Sequence, residues 1–341
     1  MSLLVLAVAS AMAATEPDVA RPLHWLVDAQ NTDGSWGADA HSTEPDVATT
    51  AISGLALLRL GHTGAKGDYQ DSTRRAVMYV ADAVERAPAN EIAVQAPGTL
   101  VQRKLGRNVD TFIAAQFLAE VLPTLKGQLH DRAEKALAGC VKRIEMAQAQ
   151  DGSYSRDGWA PLLASAFAND GLYAARRAGA RVDDGVLAKG QAALVGKYDA
   201  RTKSFGTGES AGVQLYSIAA GAIAAAQVAR EPAAPPELKL HADATARAGA
   251  QALRNDNVLR GFGTYGGEEH VSYMLTTEAK AAIGGDEWAA FRTGMHARLA
   301  AIQRENGTWR GDHCITSTAF CTAASLITLA IQPQQHGARP S

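Results

Sequence analysis

Two kinds of apolar pattern alternate along the chain. Segments of the first kind lie at about 17–30, 69–87, 130–148, 183–197, 238–254 and 286–303. They place apolar residues three and four apart and set charges opposite, as in DRAEKALAGCVKR. Such a stripe predicts an amphipathic helix with one side on a core. Segments of the second kind follow each of these, at about 44–60, 108–122, 159–178, 210–229, 268–283 and 314–331. They are rich in Ala, Gly, Ser and Thr and carry few charges, as in AISGLALL, AAGAIAAA and TAFCTAASLITLA. Small uncharged residues on every side predict a helix buried all round. Glycines and prolines gather between the segments as stops, and β-branched runs are few. The alternation predicts an all-α fold, an (α/α)6 toroid of six helical hairpins, with six inner and six outer helices and its end hairpins touching. Residues 15–332 are expected to form it as one domain, and 333–341 a C-terminal tail.

The links carry a repeat. Gln30-Asn-Thr-Asp-Gly34-Ser-Trp36 and Gln303-Arg-Glu-Asn-Gly307-Thr-Trp309 both read Q-x-x-x-G-x-W, and Gln148-Ala-Gln-Asp-Gly152-Ser-Tyr154 reads Q-x-x-x-G-x-Y. A degenerate copy, DARTKSFG, spans Asp199 to Gly206. The glutamines are separated by roughly two and three units of a period in the fifties, the range of helical arrays. Each part has a structural task. Glutamine bonds backbone groups at a helix end, glycine takes the left-handed turn, and the aromatic packs against the next hairpin.

Composition narrows the function. A net charge of −2 gives no global attraction to nucleic acid or anionic membrane. Leu3 to Met12 form a short apolar run before the small-x-small sequence Ala11-Met12-Ala13. This reads as a cleaved signal peptide over 1–14, too short to span a bilayer, which places the mature chain in a secreted or periplasmic setting. The alternative is an apolar start to the first helix, in a cytoplasmic protein. Three cysteines, Cys140, Cys314 and Cys321, give no closed disulfide framework.

The Q-x-x-x-G-x-W segments resemble the QW repeats of squalene and oxidosqualene cyclases, and the related repeat of protein prenyltransferase β-subunits. The hairpin count extends this resemblance over essentially the whole mature chain. The blocks Gly266-Gly-Glu-Glu-His270 and Gly311-Asp-His-Cys314 look like exported bacterial members of this superfamily. The resemblance implies a small apolar or isoprenoid-like ligand in a central cavity. The acidic motifs of the family are absent: there is no D-x-D-D and no D-D-x-x-D, and Asp183-Asp184 stands at an outer-helix start. The prenyltransferase β-subunits bind a catalytic zinc through an Asp-x-Cys pair and a His on an adjacent inner helix. Asp312-His313-Cys314 offers the pair and His270 the imidazole, with the order along the chain reversed. The implied metal ligands are therefore His270, Asp312 and Cys314, and the implied catalytic groups Asp312, Cys314, His313 and Glu268. Carboxylate, thiolate and imidazole are a donor set that zinc accepts.

Acids or amides stand at the starts of the inner helices: Glu44 and Asp46, Asn108 and Asp110, Glu209 and Gln214, Glu268 and Glu269, Asp312 and His313. In a closed ring they make an acidic cavity mouth at that end. Below it, Phe112, Phe117, Phe167, Tyr173, Tyr216, Tyr273, Met274 and Phe320 are candidates for the wall of an apolar bore or for core packing. Two other functions fit the pattern. One is a non-catalytic exported toroid that binds a ligand or a protein. The other is a glycan-active (α/α)6 hydrolase or lyase using paired carboxylates.

Overall fold

The inner segments are buried because they have no charged face to turn outward. The computed structural model describes residues 16–332; the leader expected over 1–14 and the tail over 333–341 lie outside the described residues. The helices are α1 (Ala20–Asp28), α2 (Val47–Arg59), α3 (Gln70–Arg86), α4 (Leu100–Leu105), α5 (Val109–Val121), α6 (Gly127–Ala147) and α7 (Pro161–Arg177). They continue as α8 (Asp184–Val195), α9 (Gln214–Ala229), α10 (Pro236–Ala252), α11 (Asp256–Leu259), α12 (Gly267–Ile283), α13 (Trp288–Ala301) and α14 (Thr318–Ala330). A two-stranded antiparallel ribbon, β1 (Tyr198–Asp199) with β2 (Ser204–Phe205), is the only sheet among the described residues. The two short helices α4 and α11 and this ribbon were not legible in the pattern. None of the helices is long and apolar enough to cross a membrane.

The contacts close a ring. Helix α2 packs on α5, α5 on α7, α7 on α9, α9 on α12, α12 on α14, and α14 returns to α2. Behind them stand α3 against α2, α6 against α5, α8 against α7 and α9, α10 against α9, and α13 against α12. The first helix, α1, packs on the last, α14. The chain is an (α/α)6 toroid of six helical hairpins. Inner helix α9 buries every residue from Leu215 to Val228, whereas outer α3 buries a stripe of Thr73, Ala76, Val77, Val80, Ala81 and Val84. Small residues let the inner helices approach closely. A Cβ on Gly171 of α7 would stand 2.8 Å from the Phe112 carbonyl oxygen of α5.

The repeated links join one hairpin to the next. Gln30 donates from Nε2 to the Gly34 carbonyl at 2.9 Å and to the Ser72 carbonyl of α3 at 3.0 Å. Gln303 does the same with Gly307 at 2.8 Å and with Asp18, ahead of α1, at 2.7 Å. Gln148 reaches the Val186 carbonyl of α8 at 2.7 Å. Gly34, Gly152 and Gly307 have φ of 90°, 87° and 85°, a region that penalises any Cβ. A Cβ on Gly34 would also lie 2.4 Å from the Arg75 carbonyl oxygen of the adjoining outer helix. Trp36 and Trp309 are fully buried and donate from Nε1 to the carbonyls of Leu26 and Leu299. In the degenerate copy the ribbon replaces the glycine turn, and Phe205 fills the aromatic's place in the core.

Candidate functional site

At the helix-start end the acids hold loops in place. Asp46 caps α2, accepting from the Ala48 amide at 3.1 Å and the Thr49 hydroxyl at 2.7 Å. Asp110 accepts from the amides of Val94 and Gln95 at 3.1 and 2.9 Å, and burial pushes its carboxyl up to about 7. Glu269 accepts from the amides of Phe262 and Gly266 at 3.0 and 2.8 Å and from the Tyr216 hydroxyl at 2.5 Å. Three acids of the expected mouth, Asp46, Asp110 and Glu269, are therefore spent on backbone amides, because turns entering a buried helix leave amides that need acceptors.

The expected zinc ligands do not come together. Helix α12 begins at Gly267, so His270 already lies a turn inside it, fully buried, with Nδ1 2.9 Å from the Ser325 hydroxyl of α14. Helix α14 begins at Thr318, four residues later than the pattern suggested, so Cys314 sits in the loop before it. The two residues are thus at different depths. Burial pulls the His270 imidazole down to about 4, which keeps it neutral. Asp312 is exposed, and its amide donates to the Tyr265 carbonyl at 2.6 Å. His313 lies 2.9 Å from the Thr264 carbonyl through Nε2. Among the described residues no three His, Cys, Asp or Glu side chains form a metal-holding group. His270, Asp312 and Cys314 therefore do not make up such a group among the described residues.

One pair from the expected set does meet. The Cys314 thiol lies beside the Glu268 carboxyl. Burial and then Glu268 push the thiol up from its ordinary value, and burial pushes Glu268 up to about 7. The thiol is thereby disfavoured from ionising, which is the opposite of an activated thiolate. Cys321 is buried and donates to the Ile315 carbonyl at 3.6 Å.

Phe112, Phe117, Phe167, Tyr216, Tyr273, Met274 and Phe320 are all buried core, and of the expected bore residues only Tyr173 faces open space. A cavity of about 490 Å³ lies at the other end, where the inner helices finish. All six inner helices contribute to it: Arg59 from α2, Gln116 and Glu120 from α5, Asp170, Tyr173 and Arg177 from α7, Ile223 and Gln227 from α9, Glu278 and Ala281 from α12, and Ala330 from α14. Small apolar walls (Ala119, Ala174, Ala226, Ala281) surround a charged floor.

That floor is a connected network. Arg59 donates to Glu120 through Nε and Nη2, both at 2.7 Å, and lies 3.3 Å from Glu278. Burial opposes the guanidinium charge, and the Glu120 and Glu278 carboxylates outweigh it, raising Arg59 above its ordinary value. Gln227 donates from Nε2 to Asp170 Oδ1 at 2.8 Å, and Asn169 donates to Gln227 Oε1 at 2.6 Å. The other Asp170 oxygen, Oδ2, is buried with no partner. Burial, and then the nearby Glu120 charge, raise Asp170 well above the ordinary carboxylate range. Burial raises Glu278 likewise, against the pull of Arg59.

The sequence held a signal for this site. Arg59, Glu120, Asp170 and Glu278 are charges in the later turns of helices otherwise built from small uncharged residues. No local motif marks them, and the motifs that the resemblance implies stand at the helix starts instead.

These buried acids set the response to pH. Asp46, Asp110, Asp170, Glu268 and Glu278 all bind protons more tightly in the folded chain. Their contribution to stability is present below the unfolded values and is lost as pH rises through the folded ones. His270 acts in the opposite direction, losing stability as pH falls from 6.5 toward about 4. Five groups outweigh one. The urea midpoint at about pH 5.5 is expected to exceed that at about pH 8. A higher midpoint at the alkaline value would show that these acids are ionised in the fold.

No family model matches the sequence, and no similar sequence is found among curated proteins. Among solved structures the chain is similar to the apo type II terpene cyclase MstE from Scytonema. The identity is 14% and the TM-score 0.38, over 92% of this chain and 96% of that one. Fold and site together define an α/α toroid with a polar-floored, apolar-walled cavity at the C-terminal ends of its inner helices.

Proposed function

We propose that the chain admits a small ligand with an apolar body, an isoprenoid or similar hydrocarbon, into this cavity and transfers a proton there. The observation that carries the reading is the Asp170 carboxyl. It lines the cavity, its environment favours the protonated form, and Oδ2 is unpartnered. A neutral carboxyl with a free oxygen at the end of an apolar pocket is an acid that lacks only a recipient.

The chain's residues divide the work. Asp170 gives the proton from Oδ2 to an alkene carbon or an oxygen of the ligand. The carboxylate left behind is held by the Gln227 amide on Oδ1 and by the fields of Arg59 and Arg177. Glu120, held by two bonds from Arg59, faces the positive charge that develops on the ligand. A proton lost from the ligand at a later step returns to a carboxylate of the same group, restoring the starting state.

Incubation with farnesol and geranylgeraniol in deuterium oxide tests this. Solvent deuterium is expected in the recovered ligand by mass spectrometry. Asp170→Asn keeps the shape and the Gln227 contact and is expected to lower incorporation about 100-fold or more. Bound ligand without label in the wild type would leave a binding toroid in place of an enzyme. Incorporation at the wild-type rate in Asp170→Asn would remove Asp170 from the role.

A further inference from the structure

We propose that the ligand of this cavity carries an anionic head, a carboxylate or phosphate, seated between Arg177 and Arg230. The inference rests on the cavity being a ligand site and adds the chemical class of what enters it.

Arg177 is the last residue of α7, and Arg230 directly follows α9, the neighbouring inner helix. Both line the open end of the cavity. The adjacent Arg176 behaves differently: it pairs with Asp184 at 3.3 Å and with Glu231. Among the described residues Arg177 has no ion pair or hydrogen bond, and Arg230 has a single partner, the Ala282 carbonyl at 2.9 Å. The nearby surface acids are thus taken by Arg176, and two guanidiniums are left facing one opening.

These two charges act on each other. Arg230 is lowered from its ordinary value by burial and then by Arg177. Helix C-termini tolerate cations through their own carbonyls, which explains how the pair persists without an acid. It does not explain why both reach into the same cavity. Deeper in, Arg59 is offset by Glu120, and Asp170 and Glu278 favour their neutral forms. The positive charge of the rim is therefore not cancelled from below. A ligand with a negative head at the rim and an apolar body between the alanine walls satisfies both ends, and its far end reaches Asp170.

Titration calorimetry on the full chain with octanoate, octyl phosphate and octanol separates the possibilities. At least one of the two anions is expected to bind about tenfold or more tightly than octanol, since charge-assisted contacts to arginine are strong. Whichever anion binds more tightly identifies the head. In the double variant Arg177→Gln/Arg230→Gln the preference is expected to vanish while octanol affinity stays. Arg177→Lys/Arg230→Lys is expected to keep part of it, and thermal melts of both variants check folding. Octanol binding as tightly as both anions overturns the anionic head and leaves the apolar cavity standing. A preference that survives in the glutamine variant overturns the assignment to these arginines. If none of the three binds, both this inference and the ligand site fall.

Discussion

Trp309→Ala is expected to lower stability by about 3–5 kcal/mol, the usual cost of truncating a fully buried large aromatic. Trp309 is at 0% exposure in the link between α13 and α14. Its indole donates to the Leu299 carbonyl at 2.9 Å, and its own backbone amide donates to the Thr322 hydroxyl at 3.1 Å. The same link carries Gln303, whose amide reaches Asp18 ahead of α1 at 2.7 Å. Removing the ring of Trp309 thus opens a void where the last hairpin meets the first helix. A fall in melting temperature of about 5–10 °C is expected for a domain of this size. Trp309→Phe, which keeps most of the volume and loses the indole bond, is expected to cost only about 1 kcal/mol more than its lost volume. An unchanged melting temperature in Trp309→Ala would show that the ring does not depend on this link. The cavity lies at the opposite ends of the inner helices, so ligand binding in the folded variant is expected to match the wild type.

Arg59→Leu is the second large effect. It leaves Glu120 and Glu278 without their guanidinium on a partly buried cavity floor, so the cost is expected to lie between about 1 kcal/mol for a surface pair and about 3–5 kcal/mol for a buried one. Without the Arg59 charge the Glu278 carboxyl binds its proton more tightly still, so its folded value rises further above the unfolded one. The loss is therefore fully expressed above that raised value and relieved as pH falls toward the ordinary range. Urea midpoints of wild type and variant are expected to converge between about pH 8 and about pH 5. The triple variant Arg59→Leu/Glu120→Leu/Glu278→Leu is the sharper measurement. Replacing a whole buried charge group by apolar residues is often neutral or stabilising, so the triple variant is expected to recover most of the lost stability while losing proton transfer. A triple variant as unstable as the single one would make the network a structural plug and weaken its reading as a site.

The same physics explains why this network was hard to see in the sequence and the repeats were easy. The links Gln30–Trp36, Gln148–Tyr154 and Gln303–Trp309 act over short sequence distances: a glutamine, a left-handed glycine and an aromatic meet within one turn of chain. Their spacing is their geometry. The Arg59–Glu120–Glu278 contact joins residues from three inner helices. No local pattern records which of the many charges in a chain of 341 residues will face one another across a ring.

His270 and Cys314 show the limit in detail. The inner segments expected from about 268 and 314 place His270 and Cys314 near helix starts, and imidazole and thiolate are donors that zinc accepts. The depth at which each side chain sits depended on where α14 begins. Ser317 decides that by capping the helix, its hydroxyl accepting from the Phe320 amide at 3.1 Å. A start four residues later moves Cys314 off the helix altogether, and its thiol comes to rest beside Glu268. Helix ends are settled by competition among nearby capping groups, which differ by about 1 kcal/mol. A reading of residue types cannot resolve differences of that size.

The sequence by itself determined the number, order and kind of the twelve principal helices, because burial of a small-residue helix or of an amphipathic stripe is a property of local composition and period. It also determined the hairpin links, whose chemistry is contained in seven residues. Only the tertiary structure decided which end of the ring is open. The aromatic residues of the inner helices are buried in the core, and Asp110 and Glu269 are drawn onto loop amides. The cavity that all six inner helices line lies where they end, among charges that had no reason to be neighbours until the ring closed.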